Sequence, residues 1–313
     1  MRRLFTSELL RARSRRLPWV LMIGATIGIV LGIGIGTLRS TPPDAAAPPP
    51  PRQYRLDLEA CLSGEFLGPG DEVPPGFGSL EEFCNETVRP EFYGEPVDRI
   101  ELRDLRSILE SLGTIVVLVG VVIGASLAGA DWSMGSMATL LTWEPRRALV
   151  LLVRVAVVVV AVLVMTMAAQ VLFIALWRAG VAWRGSAASA SPDWLGQVVG
   201  VAVRTSVIAA AFGVIAAALA TIGRSSVAAI GILLGYLVAI EGFLSGLVEG
   251  SSRWLLVRAA AAVVSQRPVT VYRQDTYEPE VVLSVAGAGV LVAAYVAVLV
   301  LLAAAAFRAR DVN

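Results

Sequence analysis

Six long apolar stretches constrain this chain more than any other feature of its sequence. A helix needs about 20 consecutive apolar residues to cross the hydrocarbon core of a bilayer. Only helices or closed barrels can span it, because a spanning segment must satisfy its own backbone hydrogen bonds. We therefore expect an all-α polytopic membrane protein with six transmembrane helices and a small extracytoplasmic insertion between the first two. The predicted spans are residues 17–38, 108–129, 148–177, 198–222, 227–247 and 281–306.

The distribution of arginine predicts how these spans are oriented, because basic residues are concentrated in cytoplasmic segments. Residues 1–16 contain six arginines and one acid, which predicts a basic cytoplasmic helix at the N-terminus. Alternation then places the 130–147 connection and the 307–313 tail inside, and the 39–107 and 248–280 loops outside. A cleaved signal peptide is the alternative for the first span, but its apolar stretch is longer than the usual 7–15 residues or so. We expect a multi-pass membrane protein.

Composition excludes several kinds of chemistry. All 26 basic residues are arginine, and neither lysine nor histidine occurs. The chain therefore lacks the phosphate-binding lysine of P-loop ATPases, a lysine for a Schiff base and a histidine for a catalytic triad or a metal site. We expect no enzyme activity, no cofactor or metal bound by this chain and no nucleic-acid partner.

The predicted extracytoplasmic segment, 39–107, consists of a Pro-rich linker over 41–51 followed by an acidic part. Residues 52–107 contain 13 acids and 6 arginines, a balance of −7. Cys61 and Cys84 both lie there, on the oxidising side, so an intrachain disulfide is expected. Unpaired thiols or a disulfide between chains are the alternatives. Residues 98–110 alternate charged and apolar side chains at helical spacing, which predicts a helix running into the second span.

Several small or charged residues inside the predicted spans suggest contacts. A tandem GxxxG run in the first span predicts a close helix contact, with another span or with a second copy of the chain. Arg204 and Glu241 are predicted to pair or to face a water-filled vestibule, whereas Arg154 is expected to reach outward to the interface. Residues 253–264 are apolar but too short to span, and predict an interfacial or re-entrant helix. The glycines of the run are Gly24, Gly28, Gly32 and Gly36.

The connection after the second span is the most informative segment. Asp131 is expected to cap a short amphipathic helix over 131–142, and Pro145 to lie in the first turn of the next span. Such a helix at the cytoplasmic face could bind a soluble partner, or it could only anchor the loop through its tryptophans.

This connection resembles that of permease subunits of type-two ABC exporters, particularly actinobacterial ones. In that family an acid and a glycine precede a T-x-x-x-L-L-T-x-x-P-R-R run between the second and third spans, and the C-terminus is similar to residues 307–312 here. The matching residues are Asp131, Trp132, Gly135, Ser136, Thr139, Leu140, Leu141, Thr142, Pro145, Arg146 and Arg147, with Glu144 inside the run.

The resemblance implies a transport subunit. Two permease chains would pair, as a homodimer or a heterodimer, and each would bind a separate ATPase subunit that holds ATP and Mg²⁺. The 131–142 helix would be the coupling helix, the basic helix over 3–16 a connecting helix, and 253–264 would match the family's outer re-entrant helices. The first, second and fifth spans would line the translocation path.

Three other functions remain open from the sequence. A membrane-embedded enzyme usually presents clustered carboxylates or histidines at one membrane face, and here the acids cluster only in the outer segment. A secondary transporter would typically show inverted repeats and broken helices near mid-membrane, neither of which is evident. A non-transporting sensor or immunity protein, in which 52–107 binds a ligand, is the main alternative.

Overall fold

The computed structural model describes residues 2–41, 52–64, 79–88, 100–133, 135, 142, 146–187, 190–243, 251–272 and 279–309. These residues form two compact units. The first contains the described parts of 1–31, 103–177 and 190–313, and the second those of 32–102 and 178–189. The elements in chain order are α1 (Arg2–Ser14), α2 (Arg16–Arg39), α3 (Arg52–Leu62), α4 (Leu80–Thr87), α5 (Asp104–Ser133), α6 (Arg147–Arg184), α7 (Trp194–Gly223), α8 (Ser226–Gly235), a π-helical segment (Tyr236–Gly242), a 3₁₀ turn (Ser251–Trp254), α9 (Leu256–Ser265), β1 (Val269–Tyr272), β2 (Pro279–Leu283) and α10 (Val285–Ala309).

Five of the described helices are long and apolar enough to cross a membrane, namely α2, α5, α6, α7 and α10. They coincide with five of the six predicted spans and identify the chain as a mostly helical, membrane-embedded protein. The helices extend beyond the apolar stretches: α6, for example, runs from Arg147 to Arg184, whereas the predicted span was 148–177. Helical hydrogen bonding thus continues past the last apolar residue, so apolar length alone does not fix where a helix ends.

The remaining predicted span, 227–247, begins as α8 and continues directly into the π-helical segment. Ser225 caps α8, since its hydroxyl accepts a hydrogen bond from the Ala228 amide at 3.3 Å. Residues 244–250 lie outside the described chain, so a sixth crossing stays a prediction. The expected short helix at 253–264 is confirmed as α9, preceded by the 3₁₀ turn.

One hairpin departs from the all-α expectation. Strands β1 and β2 pair antiparallel, with Thr270 opposite Val281 and Val271 opposite Glu280. The two strands are rich in β-branched residues, which favour a pleated surface, and they are a small exception in a mostly helical fold. The hairpin connects α9 to α10.

Helix α7 lies at the centre of the first unit, with 72% of its most apolar stretch buried. Close contact with α5 is made through glycine: an ideal Cβ at Gly120 would lie 2.5 Å from the Ala209 carbonyl oxygen, and one at Gly124 would lie 2.0 Å from that of Gly213. Small residues are the usual means by which membrane helices approach this closely.

In the second unit, α3 and α4 are joined by a disulfide between Cys61 and Cys84. Both cysteines and Val88 are buried in a small apolar cluster. The intrachain disulfide is therefore confirmed, and the alternatives of free or interchain thiols are excluded. A loop of this length is expected to stabilise the unit by roughly 3 kcal/mol.

Residues 98 and 99 of the helix predicted over 98–110 lie outside the described chain, residues 100–103 are not helical, and the helix begins at Asp104. Residues 100–102 instead pair with another segment of the second unit. The Ser186 amide donates to the Ile100 carbonyl at 3.0 Å, and the Leu102 amide donates to the Ser186 carbonyl at 3.1 Å. These bonds satisfy the backbone in an extended conformation, which a helix would have to break.

Candidate functional site

Asp131 is the centre of a charge cluster at the C-terminal end of α5. Its carboxylate accepts a hydrogen bond from Arg15 Nη2 at 2.5 Å and another from Arg154 Nη2. Asp131 is 3% exposed and Arg154 6% exposed. Arg15 lies at the break between α1 and α2 and also donates to the Ser126 carbonyl at 2.8 Å. The cluster therefore joins α1, α5 and α6 through one buried carboxylate.

Two sequence predictions are corrected by this geometry. Asp131 lies in the last turn of α5, so it does not cap a following helix. Arg154 does not extend to the interface, because its guanidinium is buried against Asp131 and also donates to the Ala128 carbonyl. A buried charge is retained when a partner of opposite sign and further hydrogen bonds are supplied, and Asp131 provides that partner.

Trp132, next to Asp131, contacts the C-terminal end of α10. Its ring lies edge-on to Phe307 with 5.9 Å between centroids, and the Arg224 guanidinium lies 5.0 Å from the Trp132 ring. Arg147, at the start of α6, donates to the carbonyls of Phe307 and Arg308 at 3.2 and 3.3 Å. The fold thus brings both ends of the α5–α6 connection, Trp132 and Arg147, into contact with the end of α10.

Part of the predicted coupling segment lies outside the described residues, namely Thr139, Leu140, Leu141, Glu144 and Pro145. Gly135 has φ +68°, a conformation that favours glycine, and its amide donates to the Trp132 carbonyl at 3.3 Å. Thr142 is exposed. The Arg146 carbonyl accepts from the amides of Leu149 and Val150 at the start of α6. Residues 131–133 belong to the end of α5. The helix predicted over 131–142 stays a prediction, because most of 134–141 lies outside the described residues.

Arg204 and Glu241 do not pair with each other in the described structure. Glu241 accepts a hydrogen bond from the Val257 amide at 2.6 Å, and Arg204 Nε donates to the Val264 carbonyl at 3.0 Å. These two bonds are at opposite ends of α9. An anion at a helix N-terminus and a cation at its C-terminus satisfy unpaired backbone groups and complement the helix dipole.

Tyr236 adds a third bond at the same end of α9, since its hydroxyl accepts from the Leu256 amide at 3.2 Å. Tyr236 and Glu241 are five residues apart in the π-helical segment. π-Helical segments are rare in proteins, and those that occur are often found at functional sites. Arg204 and Glu241 therefore hold a short helix in position, a role that sequence separation alone did not indicate.

The close contact predicted for the first span is not made within the described chain. Ideal Cβ atoms at Gly24, Gly28, Gly32 and Gly36 would meet nothing within 4 Å. The glycine contact occurs instead between α5 and α7, through Gly120 and Gly124. The signal was present in the sequence as a second GxxxG pair, but spacing alone does not show which run faces another helix.

Comparisons of the chain with protein-family models, curated proteins and solved structures found no match.

Proposed function

We propose that this chain is the permease subunit of an ABC exporter in a bacterial plasma membrane, and that a separate ATPase subunit binds the connection between α5 and α6. The chain would form the translocation path with a second permease chain. The ATP and Mg²⁺ sites would lie on the ATPase subunit, in keeping with the absence of lysine from this sequence.

The observation that carries this proposal is that both ends of the α5–α6 connection are fixed to other helices. Asp131 binds arginines next to α2 and in α6, while Arg147 binds the end of α10. A partner that moves the connection would therefore move several membrane helices together. This is the mechanical property that a coupling segment requires, because energy released on another chain has to reach the transmembrane helices.

Coexpression with any ATPase encoded beside this gene tests the proposal. We expect the ATPase to copurify with the wild-type chain in detergent. Glu144→Arg should reduce the recovered ATPase by about tenfold, which corresponds to about 1.4 kcal/mol. Glu280→Arg in the exposed strand β2 makes the same charge reversal and should have no effect. Failure of any neighbouring ATPase to copurify with the wild type would contradict the proposal.

A sensor or immunity protein is the second candidate, and the disulfide-linked α3–α4 pair favours it because this pair has its own buried cluster. Replacing residues 52–88 by a short flexible linker separates the two functions. The permease proposal expects ATPase copurification to persist in that variant. The sensor candidate expects no ATPase to bind either protein and the cellular response to be lost.

A further inference from the structure

A narrow apolar trough lies between α5 and α9 in the first unit, with a volume of about 190 Å³. Helix α7 and the α8–π segment close its other sides. The α5 side is one helix face, since the lining positions recur at intervals of three and four residues. These positions are Glu110, Gly113, Thr114, Val117, Leu118 and Val121.

The length of the trough matches one leaflet of a bilayer. Eleven residues separate Glu110 from Val121, and at 1.5 Å per residue they span about 17 Å. Half of a hydrocarbon core about 30 Å thick is about 15 Å. The volume is smaller than that of a typical drug-sized pocket, although apolar cavities of about 150 Å³ already bind benzene. An apolar space of this length and volume accommodates one side of a single aliphatic chain.

Glu110 lines one end of the trough, and two arginines outside the lining, Arg106 and Arg204, bind lining residues there. Glu110 accepts a hydrogen bond from Arg106 Nε at 2.9 Å, so its charge is already neutralised. Arg204 interacts electrostatically with both of these residues and donates through Nε to the Val264 carbonyl. In the described chain the terminal amino groups of Arg204 make no hydrogen bond. Two guanidinium groups and one carboxylate leave an excess positive charge, which complements an anionic headgroup.

We propose that this trough is a binding site for an anionic phospholipid, whose acyl chain lies along α5 and whose phosphate lies at Arg106 and Arg204. The depth of one leaflet, the apolar lining and the positive end all correspond to the parts of such a lipid. The site goes beyond the proposed transport function and does not depend on it, because it is built from this chain alone.

Native mass spectrometry of the full purified chain tests the site, with phosphatidylglycerol and phosphatidylcholine of identical acyl chains as probes. We expect the wild type to bind phosphatidylglycerol about tenfold more tightly, which corresponds to about 1.4 kcal/mol. Arg106→Gln should remove most of this preference, because it removes the excess positive charge. Binding of the acyl chain should persist. No ATPase is present, so the result is independent of the transport proposal.

Filling the trough with a larger side chain distinguishes binding of the lipid's acyl chain from binding of its headgroup. Ala261 lines the trough and is exposed, so Ala261→Phe should block both lipids without disturbing buried packing. Ala294→Phe on α10 makes the same change at an exposed position outside the trough, and should bind lipid as the wild type does. Equal binding of the two lipids by the wild type, or unchanged binding by Ala261→Phe, would overturn the proposal. A dimer that Ala261→Phe dissociates, with no lipid bound, would overturn it and assign the trough to a second copy.

Discussion

At the scale of single residues, Asp131 is buried and binds two arginines from other parts of the first unit. Removing a charge from water costs several kcal/mol, and its partner returns this energy only when geometry and hydrogen bonding are favourable. Asp131 compensates Arg15 and Arg154 together, while backbone carbonyls at Ser126 and Ala128 accept from the same guanidinium groups. Loss of the carboxylate would leave one buried and one half-buried cation facing each other.

We expect Asp131→Asn to destabilise the protein by about 3–5 kcal/mol, the cost of breaking a buried ion pair. Thermal unfolding of the purified protein in detergent measures the change. Asp104→Asn is the matched control, because Asp104 is an exposed partner of Arg103 at 3.8 Å and surface pairs contribute about 0–1 kcal/mol. Replacing Arg154 by Leu in the Asp131→Asn background should recover part of the loss. Equal stability of the two Asp variants would show that the cluster contributes little.

At the scale of secondary-structure elements, two glycine runs of similar spacing have different surroundings. In α5 the run allows the backbone of α7 to approach, whereas in α2 it meets no other described residue within 4 Å. Helix α2 is also the least buried of the five long helices, with 11% of its apolar stretch covered. Spacing therefore predicts that a helix can pack closely, and the fold decides where it does so.

We expect Gly124→Ala to lower the stability of the chain by about 1–3 kcal/mol, as overpacking typically does, because the new Cβ would meet the Gly213 backbone. Gly28→Ala should leave stability unchanged, since open space surrounds that position. Thermal unfolding of both variants in the same detergent compares them. A larger loss for Gly28→Ala would mean that another chain covers α2 in the purified protein.

Helix α9 shows a second element-scale effect, because its ends are held by side chains from other helices. Glu241 and Tyr236 bind its N-terminal amides, and Arg204 binds a carbonyl near its C-terminus. A ten-residue helix is marginal by itself in water. Tertiary hydrogen bonds at both ends therefore account for its position between the π-helical segment and the hairpin.

At the scale of the whole molecule, the number of crossings fixes whether the two termini lie on the same side of the membrane. Five long helices would place the two termini on opposite sides, whereas a crossing by α8 and the π-helical segment would place them on the same side. The arginine-rich terminal segments favour the second arrangement. With a cytoplasmic N-terminus, the crossing by α2 would put the disulfide-linked α3–α4 pair outside the cell.

We expect fusion reporters at both termini to be active only in the cytoplasm. We also expect Cys61 and Cys84 to react with a membrane-impermeant maleimide in intact cells, but only after reduction. They are the only cysteines in the chain, so labelling reports this unit alone, and the Cys61→Ser/Cys84→Ser variant supplies the background. Labelling without reduction would contradict the disulfide, and labelling only after permeabilisation would contradict the orientation.

The sequence by itself determined the features that depend on local composition. Apolar length predicted five helices that the structure contains, because a bilayer-spanning segment has to be long, apolar and internally hydrogen-bonded. Two cysteines in one short acidic segment predicted the disulfide. The short helix at 253–264 was recognisable for the same local reason.

Only the tertiary structure decided which distant side chains meet. Asp131 is 116 residues from Arg15 and 23 from Arg154, and no local pattern relates the three. The Arg204–Glu241 pair, one of two alternatives that the sequence left open, is not formed for a related reason: their similar predicted depth did not reveal that α9 lies within reach of both. Side-chain partners depend on which helix faces turn toward each other, and this is set by packing across the whole fold.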